Sequence, residues 1–471
     1  MNTECQPEQI EFHGLGKREV IGKFDGGRIT SDAGGLLLRE VENRSHILKR
    51  LSQCFTDYRH PELVEHSLES LIKQRIYGLA LGYEDLSDHD ELRQDALLAL
   101  LCDKTDITGA DRVRQQDKGK ALAGKSTLNR LELTSAHAST AERYKKIVAH
   151  PAAMDRLLMD LFVESHGEPP EQIVLDVDAT DDPVHGSQEG RFFHGYYGHY
   201  CYLPLYIFSD EDLLCALLRP SNQDGAAGTQ EEVRRIVGEL RKIWPEVQII
   251  VRGDGGFCRE SLMGWCENNR VDYVFGLPKN DRLKTEIQAE MTQARRCHEA
   301  TGEAARVFKD FCYRTLKSWS CERRVIGKAE YLSKGENPRF IVTSITDRSW
   351  DARALYEDFY CARGDMENRI KEQQLGLFAD RTSTHEMRAN QLRLYFSSFA
   401  YVLMQTLRRL GLKETPWAKA QATTIRLKIF KIGALLRVSV RKVWIAFSES
   451  YPYRDSFHDI WGNLMKIPIR N

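Results

Sequence analysis

The sequence predicts an α/β protein: a mixed sheet with a β-strand insertion, flanked by helical N- and C-terminal regions. Three observations carry this. Residues 171–277 alternate short β-branched runs with amphipathic stretches, the texture of a sheet with helices packed on it. Residues 305–345 break that alternation with three strand-like runs in succession. Both ends of the chain show helical periodicity instead.

Residues 1–170 read as mostly helical. An entry segment holds Gly26, Gly27, Gly34 and Gly35, with Ser31 and Asp32 as candidate N-caps ahead of Leu36-Leu37-Leu38. Helical patterns follow over 63–82, 88–101 and 140–163. At residue 171 the texture changes. Ile173-Val174-Leu175-Asp176-Val177-Asp178 is a strand ending in carboxylates. Residues 200–208 and 212–218 read as a hairpin, 231–243 as an amphipathic helix, and 247–251 as a strand. That strand runs into Arg252-Gly253-Asp254-Gly255-Gly256. A helix over 260–268 and a strand over 271–277 complete the alternation.

The runs 307–316, 323–332 and 339–345 form a β insertion or an extension of the sheet, bounded at about 300–346. Helical pattern returns over 352–374 and 386–410, and Pro416 precedes a basic tail. The predicted division is a helical region 1–170, a sheet domain 171–385, and a helical, basic region 386–471.

Composition narrows the class. With 42% hydrophobic and 29% charged residues in 471, wholesale disorder, collagen and a membrane bundle are excluded. Net charge is −1, yet its distribution is uneven. Residues 401–471 hold 13 Lys/Arg against 4 Asp/Glu, so a basic tail follows an acidic body, an asymmetry suited to a polyanion. The 11 cysteines are scattered without a CxxC pair, which favours a reducing, cytoplasmic setting. The N-terminus has no signal-peptide pattern. The longest apolar stretch, 394–404, is interrupted by Ser397 and Ser398 and falls short of the ~20 residues that span a bilayer. It reads as a buried helix, and no membrane partner is expected.

Three motifs carry chemistry. Asp176 and Asp178 share one sheet face at a strand end, where α/β sheets bind ligands; a solvated acidic loop is the plain alternative. Asp254 sits among glycines that let a backbone approach a ligand closely, or that simply make a turn. Tyr360, Arg363, Glu367 and Gln374, at steps of 3, 4 and 7, share one helix face; a salt-bridged surface would look the same.

Together these motifs resemble the catalytic set of DDE transposases with an RNase H-like core. The Tyr360, Arg363, Glu367 spacing resembles the cut-and-paste insertion-sequence branch. The chain from about residue 10 to about 460 is similar to the IS-thirteen-eighty family through Phe24-Asp25-Gly26-Gly27, Leu122–Leu128, Leu175–Gly186, Arg252–Phe257 and Arg363-Gly364-Asp365-Met366-Glu367-Asn368.

The resemblance implies an RNase H-like mixed sheet and cleavage at insertion-sequence ends followed by strand transfer. It implies Asp178, Asp254 and Glu367 as catalytic ligands of Mg²⁺, with Mn²⁺ able to substitute. Two such ions would bracket the scissile phosphate, and hard cations take carboxylate oxygens. Tyr360 and Arg363 would steady flanking phosphates, and an aromatic from the insertion, Trp319 with Arg323 beside it, would hold a flipped base.

The implied partners are double-stranded DNA, both terminal inverted repeats and target, and a second copy in a synaptic homodimer. The implied setting is the bacterial cytoplasm, at the nucleoid when DNA is bound. The branch usually places a lysine where Gln374 stands; Lys371, one turn after Glu367, is the candidate replacement.

Rival readings remain at this point. One is a non-catalytic DNA-binding protein derived from a transposase. Asp176-Val177-Asp178-Ala179-Thr180 also fits the DxDxT of haloacid-dehalogenase-like phosphatases, with Asp176 as nucleophile. Gly119–Ser126 matches a P-loop literally, but the polar residues before it cannot make the buried strand that motif needs. His185, His194 and His199 lie among aromatics, suggesting a loop near the substrate or a packed cluster rather than a zinc site. In the tail, Arg426, Lys428, Lys431, Arg437, Arg441 and Lys442 interleave with apolar residues and read as one amphipathic helix, either docked or set against DNA phosphates.

Overall fold

The computed structural model describes residues 9–346 and 350–470. Most of the N-terminal segment read for a signal peptide lies outside them. The chain divides into two compact units. One comprises residues 53–56 and 149–405; the other comprises the rest of the first 148 residues together with 406–471.

The 149–405 unit is built on a nine-stranded mixed sheet. Helix α1 (Pro151–Ser165) starts with Pro151 in its first turn, where a missing N–H costs nothing. Strands β1 (Gln172–Ala179), β2 (Leu205–Ser209) and β3 (Asp212–Leu217) follow. Then come helix α2 (Thr229–Ile243), strand β4 (Gln248–Gly253), helix α3 (Glu260–Asn268) and strand β5 (Asp272–Leu277). The order across this half is β3-β2-β1-β4-β5. The first three strands are antiparallel; β1, β4 and β5 are parallel.

Helix α4 (Gln288–Thr301) leads to β6 (Ala305–Tyr313), β7 (Arg323–Leu332) and β8 (Arg339–Thr343). Strand β8 pairs antiparallel with β5, then β7 and β6 follow outward, with Gly335–Glu336 as a short strand on β7. The 305–345 runs, which fall in sequence between β5 and the helical run that follows, add to the main sheet.

The period-2 pattern of β1 sorts its side chains. Ile173, Leu175 and Val177 face the core that also takes Ile249, Val251, Phe257, Met263 and Tyr273. Val174 faces the opposite cluster of Ile250, Val274, Ile341, Leu355, Tyr356 and Phe359. Asp176 and Asp178 share that second face by alternation. A helical run over 352–376, with π-helical turns at Leu355–Tyr360 and Glu372–Gly376, covers it.

One strand departs from expectation. Residues 200–208 are not a single strand. Leu203 and Pro204 divide it, so that His199–Tyr202 pairs with Phe192–His194 and Asp182–Pro183 in a separate small sheet, while Leu205–Ser209 joins the main one. The 394–404 stretch lies in the helix Met387–Leu407, where Leu394, Phe396, Phe399, Ala400 and Tyr401 are buried. Among the described residues no helix is long and apolar enough to cross a membrane.

The other unit contains helices Leu36–Ser45 and Leu68–Leu81, the latter capped by the Ser67 side chain accepting from Ser70 N–H. Asp32 makes no cap hydrogen bond; it instead accepts from Tyr83 Oη and pairs with Lys431 Nζ at 2.5 Å. The 140–163 pattern is helical only from Pro151.

The tail is not one helix. Residues 422–430 are helical, but Ala434–Val438 and Val443–Phe447 form a hairpin that adds to Arg28–Thr30. Gly34 permits this association of chain ends, since a Cβ there would stand 1.9 Å from the Ile429 carbonyl oxygen.

Candidate active site

Strands β1 and β4 run parallel in register, with Asp176 opposite Arg252 and Val177 opposite Gly253. Asp254 follows directly on the last paired residue of β4, near enough for its charge to act on Asp178. Both pairs are 76 residues apart in sequence. The helical run then brings Arg363 and Glu367 over the same strand ends. Arg363 donates to Asp178 Oδ2 at 3.1 Å and to Glu367 Oε1 at 3.2 Å. The structure therefore draws together the three acids predicted from sequence, with Arg363 between two of them.

Each acid is held differently. Asp178 Oδ1 accepts from the Ala179 N–H at 2.9 Å, and Asp254 Oδ1 from the Gly256 N–H at 2.8 Å, which orients both carboxylates. Glu367 is half exposed. Burial pushes the Asp178 carboxyl up to about 6, Asp254 and Glu367 add to the rise, and Arg363 opposes it. A buried carboxylate beside two others favours a cation.

Asp176 is not part of this set. Its oxygens accept from Arg252 Nε at 2.6 Å and Nη2 at 2.8 Å, and Arg252 also donates to the Phe359 carbonyl oxygen. Asp176 is 1% exposed, which removes the phosphatase reading: a nucleophile must reach its substrate.

Tyr360 approaches through Gly276. A Cβ at that glycine would lie 2.6 Å from the Tyr360 hydroxyl and 2.8 Å from the Gly255 backbone nitrogen, so the close approach needs glycine. A cleft of about 480 Å³ lies here, lined by Asp254, Gly276, Lys279, Arg339 and Tyr360 among others. Sequence reasoning missed Gly276, Lys279 and Arg339, and gave Arg252 no role. The equal 76-residue offsets were a signal for Arg252; nothing local marked the others. Gln374 donates to the Asp181 carbonyl oxygen at 3.0 Å, so it ties the helix to the loop after β1. Lys371 is exposed on that helix.

Other predicted residues are placed elsewhere. Trp319 is 6% exposed in the sheet core, edge-on to Tyr313 with ring centroids 5.8 Å apart. Arg323 covers the indole and is spent on Glu260 and Glu267, each at 2.6 Å. Neither presents a free face to a base, because the turn between β6 and β7 folds back onto the core.

In the tail, Arg426 is buried and donates to the carbonyls of Leu79 and Ala80. Lys431 is held by Asp32. Lys428, Arg437, Arg441 and Lys442 are exposed. His199 Nε2 donates to Asp181 Oδ2 at 2.8 Å, and the neighbouring rings pack on one another, Phe193 on Tyr200 and Tyr196 on Tyr197. Among the described residues no group of three or more His, Cys, Asp or Glu closes around a metal position. A 3₁₀ turn, Gln115–Asp117, precedes the Gly119–Ser126 match, so the strand a P-loop needs is missing.

A mixed sheet whose parallel strands and covering helix bring carboxylates to one end makes a carboxylate-lined α/β site. The family model described as transposase DDE domain, group 1, matches residues 12–469, and the chain belongs to that family. No curated protein sequence matches it. Among solved structures, it is similar to a piggyBac transposase in a cryo-EM synaptic complex with hairpin DNA, at 11% identity and TM-score 0.40, over 86% of this chain and 80% of that one.

Proposed function

We propose that the protein is an active DNA transposase that hydrolyses a phosphodiester at an insertion-sequence end and then directs the freed 3′-hydroxyl at target DNA. The observation that carries this is Arg363 bridging Asp178 and Glu367 at the strand end where the Asp254 charge also acts on Asp178. The strand order β3-β2-β1-β4-β5 supports the RNase H-like reading of the core, and membership in the IS-thirteen-eighty branch is the finer assignment we favour.

The donor set suits a hard divalent ion: every donor is a carboxylate oxygen, and Asp178 is raised by burial and by its neighbours' charge. Asp178, Asp254 and Glu367 would hold Mg²⁺, or Mn²⁺ in its place. When bound, such ions supply charge neutralisation and an activated oxygen nucleophile.

The protein's own groups do the rest. Arg363, a fixed fork of donors, can exchange its carboxylate partners for a phosphate. The Tyr360 hydroxyl, Lys279 and Arg339 line the adjoining cleft and would hold the strand that flanks the cut. Lys428, Arg437, Arg441 and Lys442 would meet phosphates of the end sequence, in a homodimer that pairs two ends.

Purified protein should nick end DNA in Mg²⁺ or Mn²⁺, and Asp254→Asn should abolish nicking while leaving DNA binding. Specific binding with no nicking in either metal would instead establish the rival, a transposase-derived DNA-binding protein.

A further inference from the structure

Four residues beyond Asp178, a second carboxylate is buried for no reason the DDE set supplies. Asp182 is 1% exposed, in the short strand Asp182–Pro183 that pairs with His199–Tyr202. Neither of its carboxylate oxygens has a hydrogen-bond partner. Buried polar groups are nearly always paired, and a buried charge is costly without a counter-charge.

The neighbours deepen the anomaly. Thr382, 4% exposed, stands beside Asp182 without hydrogen-bond geometry, and its hydroxyl is unpartnered too. Gln188 donates its Nε2 to the Thr382 carbonyl oxygen at 3.3 Å, leaving Oε1 buried and unpartnered. Burial, then the charges of Asp380 and Asp181, push the Asp182 carboxyl up; the Thr382 hydroxyl opposes them, and no cationic side chain does. Backbone bonding fixes the segments together, as Glu189 N–H donates to the His385 carbonyl oxygen at 2.9 Å. Thr382 N–H also donates to the Asp380 carbonyl oxygen at 2.9 Å, so these segments bring a second carboxyl, a hydroxyl and an amide oxygen into the neighbourhood of Asp182.

Two fillings would relieve the anomaly. A proton shared by Asp182 and Asp380 would satisfy one carboxyl oxygen but leave the Gln188 amide oxygen without a donor. A cation satisfies all of them at once. We propose that Asp182, Asp380, Thr382 and Gln188 form a second cation site, separate from Asp178, Asp254 and Glu367, that holds one hard divalent cation of the calcium type. Such ions take carboxylate, hydroxyl and amide oxygens together in flexible geometry. The site joins the segment that follows Asp178 to the loop that follows the Glu367 helix. Its role is therefore positional: it links the two arms on which the DDE carboxylates are carried.

The test uses the full chain with Asp178→Asn, Asp254→Asn and Glu367→Gln, so that the first carboxylate set is silent. Ca²⁺ is titrated by calorimetry, and melting is followed with and without it. The expected result is one Ca²⁺ per chain and a higher melting temperature in Ca²⁺. Adding Asp182→Asn should remove both effects with the circular dichroism spectrum unchanged. If that variant does not fold, Gln188→Ala serves, with Ca²⁺ binding weakened about tenfold or more. The proposal is overturned if the silenced protein binds no Ca²⁺. It is equally overturned if binding survives Asp182→Asn, or if Gln188→Ala binds as tightly as its parent. Melting that falls as pH rises, with no response to Ca²⁺, would assign the cluster to a shared proton instead.

Discussion

Asp176 and Asp178 lie two residues apart on one strand and one face, yet they should fail differently when changed to asparagine. Asp176 is the counter-charge of Arg252, a side chain 8% exposed that also donates to the Phe359 carbonyl oxygen and lies 5.1 Å from the Phe359 ring centroid. Removing one partner of a buried pair strands the other's charge and costs about 3–5 kcal/mol. Asparagine keeps one acceptor for the guanidinium, so we take the lower end, about 3 kcal/mol.

For a domain of this size each kcal/mol moves the midpoint about 2–4 °C, giving a drop of about 6 °C or more. Burial raises both carboxyls, so the difference lies in the arginine each one leaves behind. Arg252 has Asp176 as its carboxylate partner, whereas Arg363 keeps Glu367 when Asp178 is changed. Asp178→Asn also deletes a charge that Asp254 and Glu367 disfavour, so the metal-free protein should melt no lower than wild type. The paired assay is thermal melting in chelator, beside nicking of end DNA normalised to folded protein. Asp176→Asn should melt lower and retain nicking per folded molecule; Asp178→Asn should melt normally and nick nothing. Wild-type melting for Asp176→Asn, or its complete loss of nicking while fully folded, would refute this division of roles.

Trp319→Ala should cost about 3–5 kcal/mol, as for other buried aromatic truncations, with cleavage falling only in proportion to folded protein; selective loss of second-strand processing at normal melting would restore the base-holding role. Neutralising Lys428, Arg437, Arg441 and Lys442 together should flatten the log–log salt dependence of end binding by up to about 4 units, at about 0.9 per phosphate contact. Arg426→Ala and Lys431→Ala should lower melting and leave that slope alone.

Acid should weaken the unit that contains His66 and His89. Burial, then neighbouring cations, lowers each from 6.5 to about 3, so their stabilising effect is complete above pH 6.5 and is lost as pH falls. At pH 5 the loss should reach about 2 kcal/mol per histidine, and His89→Gln should reduce it; stability unchanged between pH 6.5 and 5 would contradict this.

Much was determined locally. The β-branched run at 173–177 and the glycine-flanked Asp254 mark strand ends because period-2 alternation and turn chemistry act over a few residues. The steps from Tyr360 to Glu367 mark a helix face for the same reason. Those patterns suffice for an α/β sheet that presents carboxylates. Assigning partners needed the tertiary structure, because pairing is long-range. Asp176 and Asp178 look alike in sequence until the β1–β4 register gives one of them Arg252.

Trp319 and Arg323 look available beside a polar turn until that turn folds back onto Tyr313, Glu260 and Glu267. The basic tail reads as one helix because Ile, Leu and Lys/Arg interleave, yet pairing with Arg28–Thr30 makes part of it a hairpin. Arg426 and Lys431 are then consumed by helix-end carbonyls and Asp32. Sequence composition set the supply of charges. Only the folded chain decided which of them were neutralised internally and which were left to meet a ligand, because desolvation and pairing depend on neighbours hundreds of residues away.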